Sequence, residues 1–518
     1  MERYRGLSAS EFFYRNREIA GFSNPARALY QTVRELVENS LDATETHGIL
    51  PEIRVSIELG EDDRVVLCVE DNGVGIPGDK VPSVFGRMLY GSKYVLRQAR
   101  GVFGLGVKMA VLYAQLTTGK PVHVVTSTRT SRFVYEYLLQ IDIERNIPVI
   151  LDMKVRRKED GWHGTIVRLT TKGNWQAAHR RIEDYIRRTA MIAPYATIVY
   201  SSPDGVLTFE RTSTKLPEPP QIGKHHPRGV DIELLKMMIR KAGDATLLEF
   251  LTKHFDGVGR ITAQKFCEWA GFDPDAKVRS LSIDDLERLA SSMREFPKWR
   301  RPRPTTLSPL GEELLENGVR KILKPEFVAA VTRPPSSYGG NPFIIEVAVA
   351  YGGEIPDSGS PILYRFANRI PLLYDEGVDV SRKVVDSIDW SVYKVRFPAP
   401  LAVVTHVCST KIPFKGVGKE AVADVPEVER ELNIAIREAA RKLRGYLTKL
   451  EKLYELKRRE VTIGRYIEEV ARALGYIVGE DTSLFEERLR EMLKRDIEGR
   501  ASARGEVGAE EECVASVG

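Results

Sequence analysis

The 518 residues leave room for roughly three or four domains at about 150 residues each, and 42% apolar with 29% charged residues excludes a disordered or fibrous chain. No apolar run approaches the ~18 residues of a membrane span, and the charged opening MERYRGLSASEFFYRNREIAG lacks the apolar core of a secretory signal, so a cytosolic protein with no membrane contact is expected. With 77 basic against 72 acidic residues, the net charge of +5 permits contact with nucleic acid without arguing for it.

Residues 1–22 are polar and aromatic without a sustained period. Ser23-Asn24-Pro25 then reads as a helix start, with Asn24 as N-cap and Pro25 at the first helical position. Ala26, Leu29, Tyr30, Val33, Leu36, Val37 and Leu41 form one apolar stripe and predict a helix to about residue 46. Strands are expected at 52–59 and 64–70, then an irregular stretch to about 100 and an apolar helix at 105–116. Strand-like runs at 121–127, 132–141 and 163–170, a helix at 174–192 and a strand at 196–201 complete an α+β layered domain. The Pro-rich segment 213–228 reads as a linker. Residues 229–305 read as four or five short helices, closed by the basic stretch Lys298 to Pro304. Mixed helix and strand follow from 306, with strands near 343–351, 361–367 and 400–408. An amphipathic helix starts at Pro426 and carries Leu432, Ile436, Ala439, Leu443, Leu447, Leu450 and Tyr454 on one face, about 32 residues in all. The last residues, from about 500, are small and acidic and are expected to fray. Cys68, Cys267, Cys408 and Cys513 share no metal-ligand spacing and read as core thiols of a reducing compartment. Sparse Gln and Asn beside abundant Arg, Lys and Glu suit a heat-adapted source.

Four short motifs carry chemistry. In Arg34-Glu35-Leu36-Val37-Glu38-Asn39, Glu35 and Asn39 are four apart and share a helix face opposite the apolar stripe. A solvated polar face would look the same, but a carboxylate there can deprotonate water, and an Asn oxygen one turn on can hold magnesium. Asp71, at a strand end before Asn72-Gly73-Val74-Gly75, accepts hydrogen bonds and so can select an adenine amine; a plain hairpin turn is the alternative. Gly101-Val102-Phe103-Gly104-Leu105-Gly106-Val107-Lys108 has neither Walker A spacing nor a preceding strand, yet glycines opening a helix make an anion site. Ser92 and Lys93 lie just upstream, in a segment long enough to cover phosphates. His163-Gly164-Thr165 enters a strand and says little alone.

Taken in order, the four motifs resemble the GHKL family of ATPases over about residues 23–200. The resemblance implies the Bergerat α/β sandwich, with ATP and magnesium as cofactors. It casts Glu35 as the base for water and Asn39 as the magnesium ligand. Asp71 with Thr165 would read adenine, and the Gly101–Lys108 loop with Ser92 and Lys93 would wrap the phosphates.

Two long blocks narrow the choice: EFFYRNREIAGFSNPARALYQTVRELVENSLDA, and Thr405 through Lys411 to Glu420. Both look like the B-subunit family of DNA topoisomerase VI, and the similarity extends over all but the last ~50 residues. It implies an α+β multidomain chain: a dimer strap at 1–20, the ATPase domain at 21–228 and a helix-two-turn-helix insert at 229–305. A ribosomal-S5-like transducer with its long helix follows at 306–460, and a tail at 461–518. Phe255 to Thr262, between insert helices, is either a DNA-phosphate contact or a plain turn. The resemblance implies that the transducer sends a lysine to the γ-phosphate; of Lys411, Lys415 and Lys419, the place in the Gly-Lys-Glu triplet favours Lys419. In Asp389-Trp390-Ser391-Val392-Tyr393-Lys394, Ser391 and Lys394 stand where the family's hairpin is expected to carry Lys and Gly, which removes the residues for an ATP-sensing role there. The implied function is an ATP-operated gate. ATP dimerises two copies, and a separate A subunit in a heterotetramer of two A and two B chains cuts double-stranded DNA for strand passage. The alternative is another GHKL clamp or scaffold without strand passage, against which Glu35 argues. A mismatch-repair ATPase or chaperone is disfavoured by the helical insert, and a glycosylase by the lack of zinc-ligand cysteines.

Overall fold

The computed structural model describes residues 6–92, 94–101, 104–416 and 419–502. Three of the expected site residues, Lys93, Val102 and Phe103, lie outside them, as does Cys513. The chain divides into two compact units, one reaching Trp390 and including Val395–Ala440, the other made of Ser391–Lys394 and the residues from Arg441 on.

The first unit opens with α1 (Ala9–Arg15) and α2 (Pro25–Glu45). Asn24 caps α2 by accepting from Arg27 N at 2.9 Å, and Pro25 sits in its first turn. There follow β1 (Glu52–Leu59), β2 (Arg64–Asp71), α3 (Val81–Gly86), α4 (Gly106–Thr118), β3 (Val122–Ser127), β4 (Phe133–Asp142), β5 (Ile147–Arg157) and β6 (Gly164–Lys172). Then come α5 (Trp175–Ile192), β7 (Thr197–Ser202) and β8 (Gly205–Phe209). Among the described residues these strands make one eight-stranded sheet in the order β5-β4-β3-β6-β2-β1-β7-β8, antiparallel except for the parallel β1–β7 pair. Leu29, Val33, Leu36, Val37 and Leu41 of α2, the expected stripe, are buried in one core with Val55, Leu67 and Val69 of the sheet. Burial of this stripe fixes the rotation of α2 and turns Glu35 and Asn39 to the opposite face.

Around this first sheet the sequence reading missed α1, α3, β5 and β8. The two helices are only seven and six residues long, too short for a period to show. β5 is an edge strand exposed along nearly its whole length, so it shows no alternation of apolar and polar residues. Its Pro148 is tolerated because an edge leaves one side of the strand unpaired.

The chain is next helical, with α6 (Ile232–Ala242), α7 (Leu247–His254), α8 (Arg260–Ala270) and α9 (Ile283–Glu295) around a core of their own that includes Leu235, Phe250, Phe266 and Met293. Capping boxes start α7 (Thr246 with Glu249) and α9 (Ser282 with Asp285). α10 (Glu312–Leu323), β9 (Phe327–Thr332), β10 (Ser336–Tyr338), β11 (Asn341–Tyr351), β12 (Ile362–Ala367), β13 (Ile370–Pro371), α11 (Val380–Asp386) and β14 (Leu401–Ser409) follow. Their strands form a second sheet, β10-β11-β14-β12-β13, with β9 also on β11. β14 is buried at every position, and the loop between it and the last helix of this unit reaches back to α2.

α12 (Pro426–Val478) begins in the first unit and runs 53 residues, longer than the expected 32. Past Tyr454 it exposes Val461, Tyr466 and Val470 while Ile467 and Ala471 are buried, so the stripe that made its first half legible is thinner there. The expected tail from 461 is likewise helical. Gly479 adopts a positive φ of 74° and ends α12, and α13 (Thr482–Ser502) then places Arg490 3.8 Å from Glu468 of α12. Where a hairpin was expected, Trp390–Tyr393 forms a single 3-10 turn, because Trp390 and Tyr393, three apart, fall on one side of such a turn and are both buried. No helix among the described residues is long and apolar enough to cross a membrane.

Candidate nucleotide site

One cavity of about 650 Å³ opens between α2, the end of β2, the segment before α4, and the loop that precedes α12. Glu35, Asn39, Asp71, Ser92, Gly101, Gly104, Leu105, Gly106, Val107, Lys108, Thr165 and Lys419 all line it. Five separate stretches of sequence therefore meet around one space.

On α2, Gln31 Nε2 donates to Glu35 Oε1 at 2.9 Å, and Asn39 Nδ2 donates to the Glu35 carbonyl at 2.7 Å. The nitrogen end of the Asn39 amide is thus turned onto the helix, and its oxygen is the end directed away from it. The Glu35 carboxylate lies against the start of α4. A Cβ built on Gly106 would fall 1.6 Å from Glu35 Oε2, so glycine is required there to admit the carboxylate. Among the described residues no side chain caps the N-terminus of α4, and its first-turn N–H groups and dipole favour an anion. Lys108 is buried, its ammonium donating to the Tyr90 carbonyl at 2.5 Å; it braces the segment that carries Ser92.

At the far end, Asp71 and Thr165 are directly paired across β2 and β6. Gly73 N donates to Asp71 Oδ1 at 2.8 Å and Ser40 Oγ to Oδ2 at 3.0 Å. Burial nevertheless pushes the Asp71 carboxyl up to about 6, against the pull of the Gly73 and Ser40 donors. Thr165 Oγ1 lies 3.2 Å from Thr126 Oγ1, which donates to the Gly164 carbonyl and accepts from Ile76 N. Gly164 has φ +137° and allows β6 to approach β2, since a Cβ there would meet the Asp71 carbonyl at 2.0 Å. His163, uninformative in the sequence, bonds the Gly73 carbonyl through Nδ1 at 2.8 Å.

Lys419 enters the cavity with a left-handed backbone, φ +55°. Lys419 also borders a neighbouring cavity of about 400 Å³, which Lys415 lines. The lysine loop is fastened by its next residue. Glu420, buried, lies 3.4 Å from Arg34 Nη1, and Arg34 also holds Glu38 at 2.7 Å. The ion pair thus joins the neighbours of Glu35 and Lys419 across 386 residues of sequence. Gln31, Ser40, Thr126 and Arg34 were not singled out in the sequence. For Gln31, one turn before Glu35, its place on the Glu35–Asn39 side of α2 was a usable signal; Ser40, on the side of the apolar stripe, Thr126 and Arg34 gave none.

A Glu–Asn helix face, a buried carboxylate at a strand end, an uncapped helix start and a lysine from a second α/β domain around one cavity have the character of a nucleotide-binding ATPase. Residues 24–142 match the family of histidine kinase-, DNA gyrase B- and HSP90-like ATPases, and residues 302–459 match the topoisomerase VI B subunit transducer. The B subunit of type 2 DNA topoisomerase 6 from Pyrobaculum aerophilum is 54% identical over 499 residues, 96% of this chain and 95% of that protein. The same-named protein of Metallosphaera sedula is 48% identical over 482 residues, 92% of this chain and 91% of that one. Among solved structures, the Aquifex aeolicus MutL ATPase domain complexed with ADP aligns with a TM-score of 0.34 at 13% identity, over 78% of this chain and 95% of that chain. The chain belongs to the family of type 2 DNA topoisomerase 6 B subunits. It is the ATP-dependent subunit of a type IIB DNA topoisomerase, with a GHKL ATPase fold and a transducer.

Proposed function

We propose that the cavity binds ATP with magnesium and that Glu35 is the base that takes a proton from the attacking water. The observation that carries this reading is the Glu35 carboxylate seated over Gly106 at the N-terminus of α4, where phosphate would lie. Asp71 accepts from the adenine amine, with Thr165 beside it. The Gly101–Lys108 loop, Ser92 and Lys93 surround the phosphates. Lys419 stabilises the charge that develops on the transferred phosphoryl group. Hard oxygen donors suit magnesium, and the Asn39 oxygen would hold it; the ion would neutralise phosphate charge when bound.

The chain divides into a strap at 1–20, the ATPase at 21–228, a helix-two-turn-helix domain at 229–305, the transducer at 306–460 and a C-terminal segment at 461–518. Two copies dimerise on ATP, and each pairs with an A subunit that cuts double-stranded DNA, in a heterotetramer of two A and two B chains. The complex works in the cytoplasm at the nucleoid. Glu35→Ala tests the site: binding of a labelled ATP analogue should stay within about threefold while turnover falls at least 100-fold. Turnover that persists in this variant removes Glu35 as the base.

A further inference from the structure

The two-residue turn between β12 and β13, Asn368-Arg369, sits where the phosphate-loop segment meets the second sheet. Both residues have positive φ, 49° and 64°, and Ala367 pairs with Ile370 across the turn. Such a turn favours Asn-Gly, so arginine at its second position is strained. Strain of this kind persists where the side chain is used. Backbone and side chains together hold the turn in place. Arg369 N donates to His406 Nε2 at 2.9 Å, and His406 Nδ1 lies 2.8 Å from Glu346 Oε2, so the imidazole links the turn backbone to the buried carboxylate.

Each side chain reaches across to the ATPase. Asn368 Nδ2 donates to the Ala99 carbonyl at 3.2 Å and to the Ser409 carbonyl at 2.9 Å, while its Oδ1 accepts from Ser409 N at 2.9 Å. Ala99 lies two residues before Gly101, the first glycine of the phosphate loop. Ser409 ends β14, where the lysine loop begins. One amide therefore ties the root of one loop to the root of the other. Arg369 is buried and reaches Glu45 at 3.1 Å, the Tyr195 hydroxyl at 3.2 Å and Ser308 Oγ at 3.2 Å. Glu45 is shared: Arg100, the residue just before Gly101, holds it through two bonds of 2.8 and 2.7 Å. Arg100 and Arg369 thus grip one carboxylate near the end of the helix that carries Glu35.

We propose that Asn368 and Arg369 are positioning residues that couple the root of the phosphate loop to the root of the lysine loop, so that nucleotide binding at the first sets the second. This rests on the nucleotide-site reading above. Neither residue lines the nucleotide cavity; they act through Ala99, Arg100 and Ser409.

Hydrogen exchange on the full chain, with and without magnesium and a non-hydrolysable ATP analogue, tests the coupling. In the wild type, nucleotide should slow exchange both in peptides spanning 99–112 and in peptides spanning 403–412. Arg369→Gly restores the Asn-Gly pair the turn favours and removes only the side chain. Protection should remain within about twofold at 99–112 and be lost at 403–412, and kcat should fall about tenfold with the KM for ATP within threefold. Asn368→Asp tolerates the same backbone, leaves Arg369 in place and deletes the two donated bonds; it should give the same pattern, and it decides the matter if Arg369→Gly does not fold. Protection of both segments in both variants would overturn the coupling while leaving the nucleotide site standing. Loss from both segments would also overturn it, since the turn would then only support the site. No protection in the wild type would overturn the nucleotide-site reading, and the coupling with it.

Discussion

Asp71, proposed to read the adenine amine, is a residue whose proposed use strains against the fold that holds it. Its carboxyl sits near 6 because it is buried, against an ordinary 3.8. An acid whose folded pKa is raised binds more protons folded than unfolded between those values. The ionised form therefore costs stability above pH 6, about 3 kcal/mol at two units of difference, and nothing below 3.8. Binding runs the other way, because only the ionised carboxylate offers acceptors alone to an adenine amine. Nucleotide affinity should be full at pH 7.5 and fall as pH drops through 6. Asp71→Asn should melt a few degrees higher than the wild type at pH 7.5, show a smaller gain at pH 5, and bind nucleotide at least 100-fold more weakly. Melts and titrations at both pH values check this; equal affinity in the variant would take Asp71 out of the site. A nearby residue, Gly106, marks the opposite kind of constraint: there the space itself is the requirement.

At the scale of elements, the lysine loop and α2 are registered by Arg34 and Glu420, each one residue from a group assigned to the chemistry. Lys419, carried into the cavity by that pairing, should matter more than its neighbours. Lys419→Ala should slow ATP turnover about 100-fold, and Lys411→Ala less than threefold. The reverse order in a steady-state assay would move the role to Lys411. Much of this was legible beforehand. Asn24 and Pro25 announced α2, its stripe gave the face, and the spacing from Glu35 to Asn39 gave the opposite face. Asp71 and Thr165, 94 positions apart by their numbers, were joined only by family likeness, and the strand register pairs them. What stayed hidden was tertiary. A pairing such as Arg34 with Glu420 leaves no periodic trace, nor does a turn whose residues bond segments some 270 positions away. β5 was hidden for a different reason, having no buried face to impose alternation.

For the whole molecule, the gate reading makes a demand on the N-terminus. In the single chain α1 lies on its own β4–β5 turn, with Ser8 Oγ donating to the Ile143 carbonyl and Ser10 Oγ to Asn146 Oδ1. Exchange of this segment between copies would break those two bonds and remake them across the dimer. Light scattering of the purified chain should therefore give a monomer alone and a dimer with magnesium and a non-hydrolysable ATP analogue. A mass indifferent to nucleotide, with binding confirmed, would favour a scaffold over a gate. The exposed edge at β5 bears on the same molecule in a crowded cell. Ile147, Val149, Ile150, Leu151, Met153 and Val155 stand in solvent beside a row of unpaired main-chain groups, the kind of surface on which foreign strands nucleate aggregates. Pro148 breaks that row, and Lys154, Arg156, Arg157 and Lys158 load its far end with like charge. These five side chains lie outside the lining of the proposed nucleotide cavity, and replacing them together should show as aggregation while the ATP turnover of the chain left in solution persists.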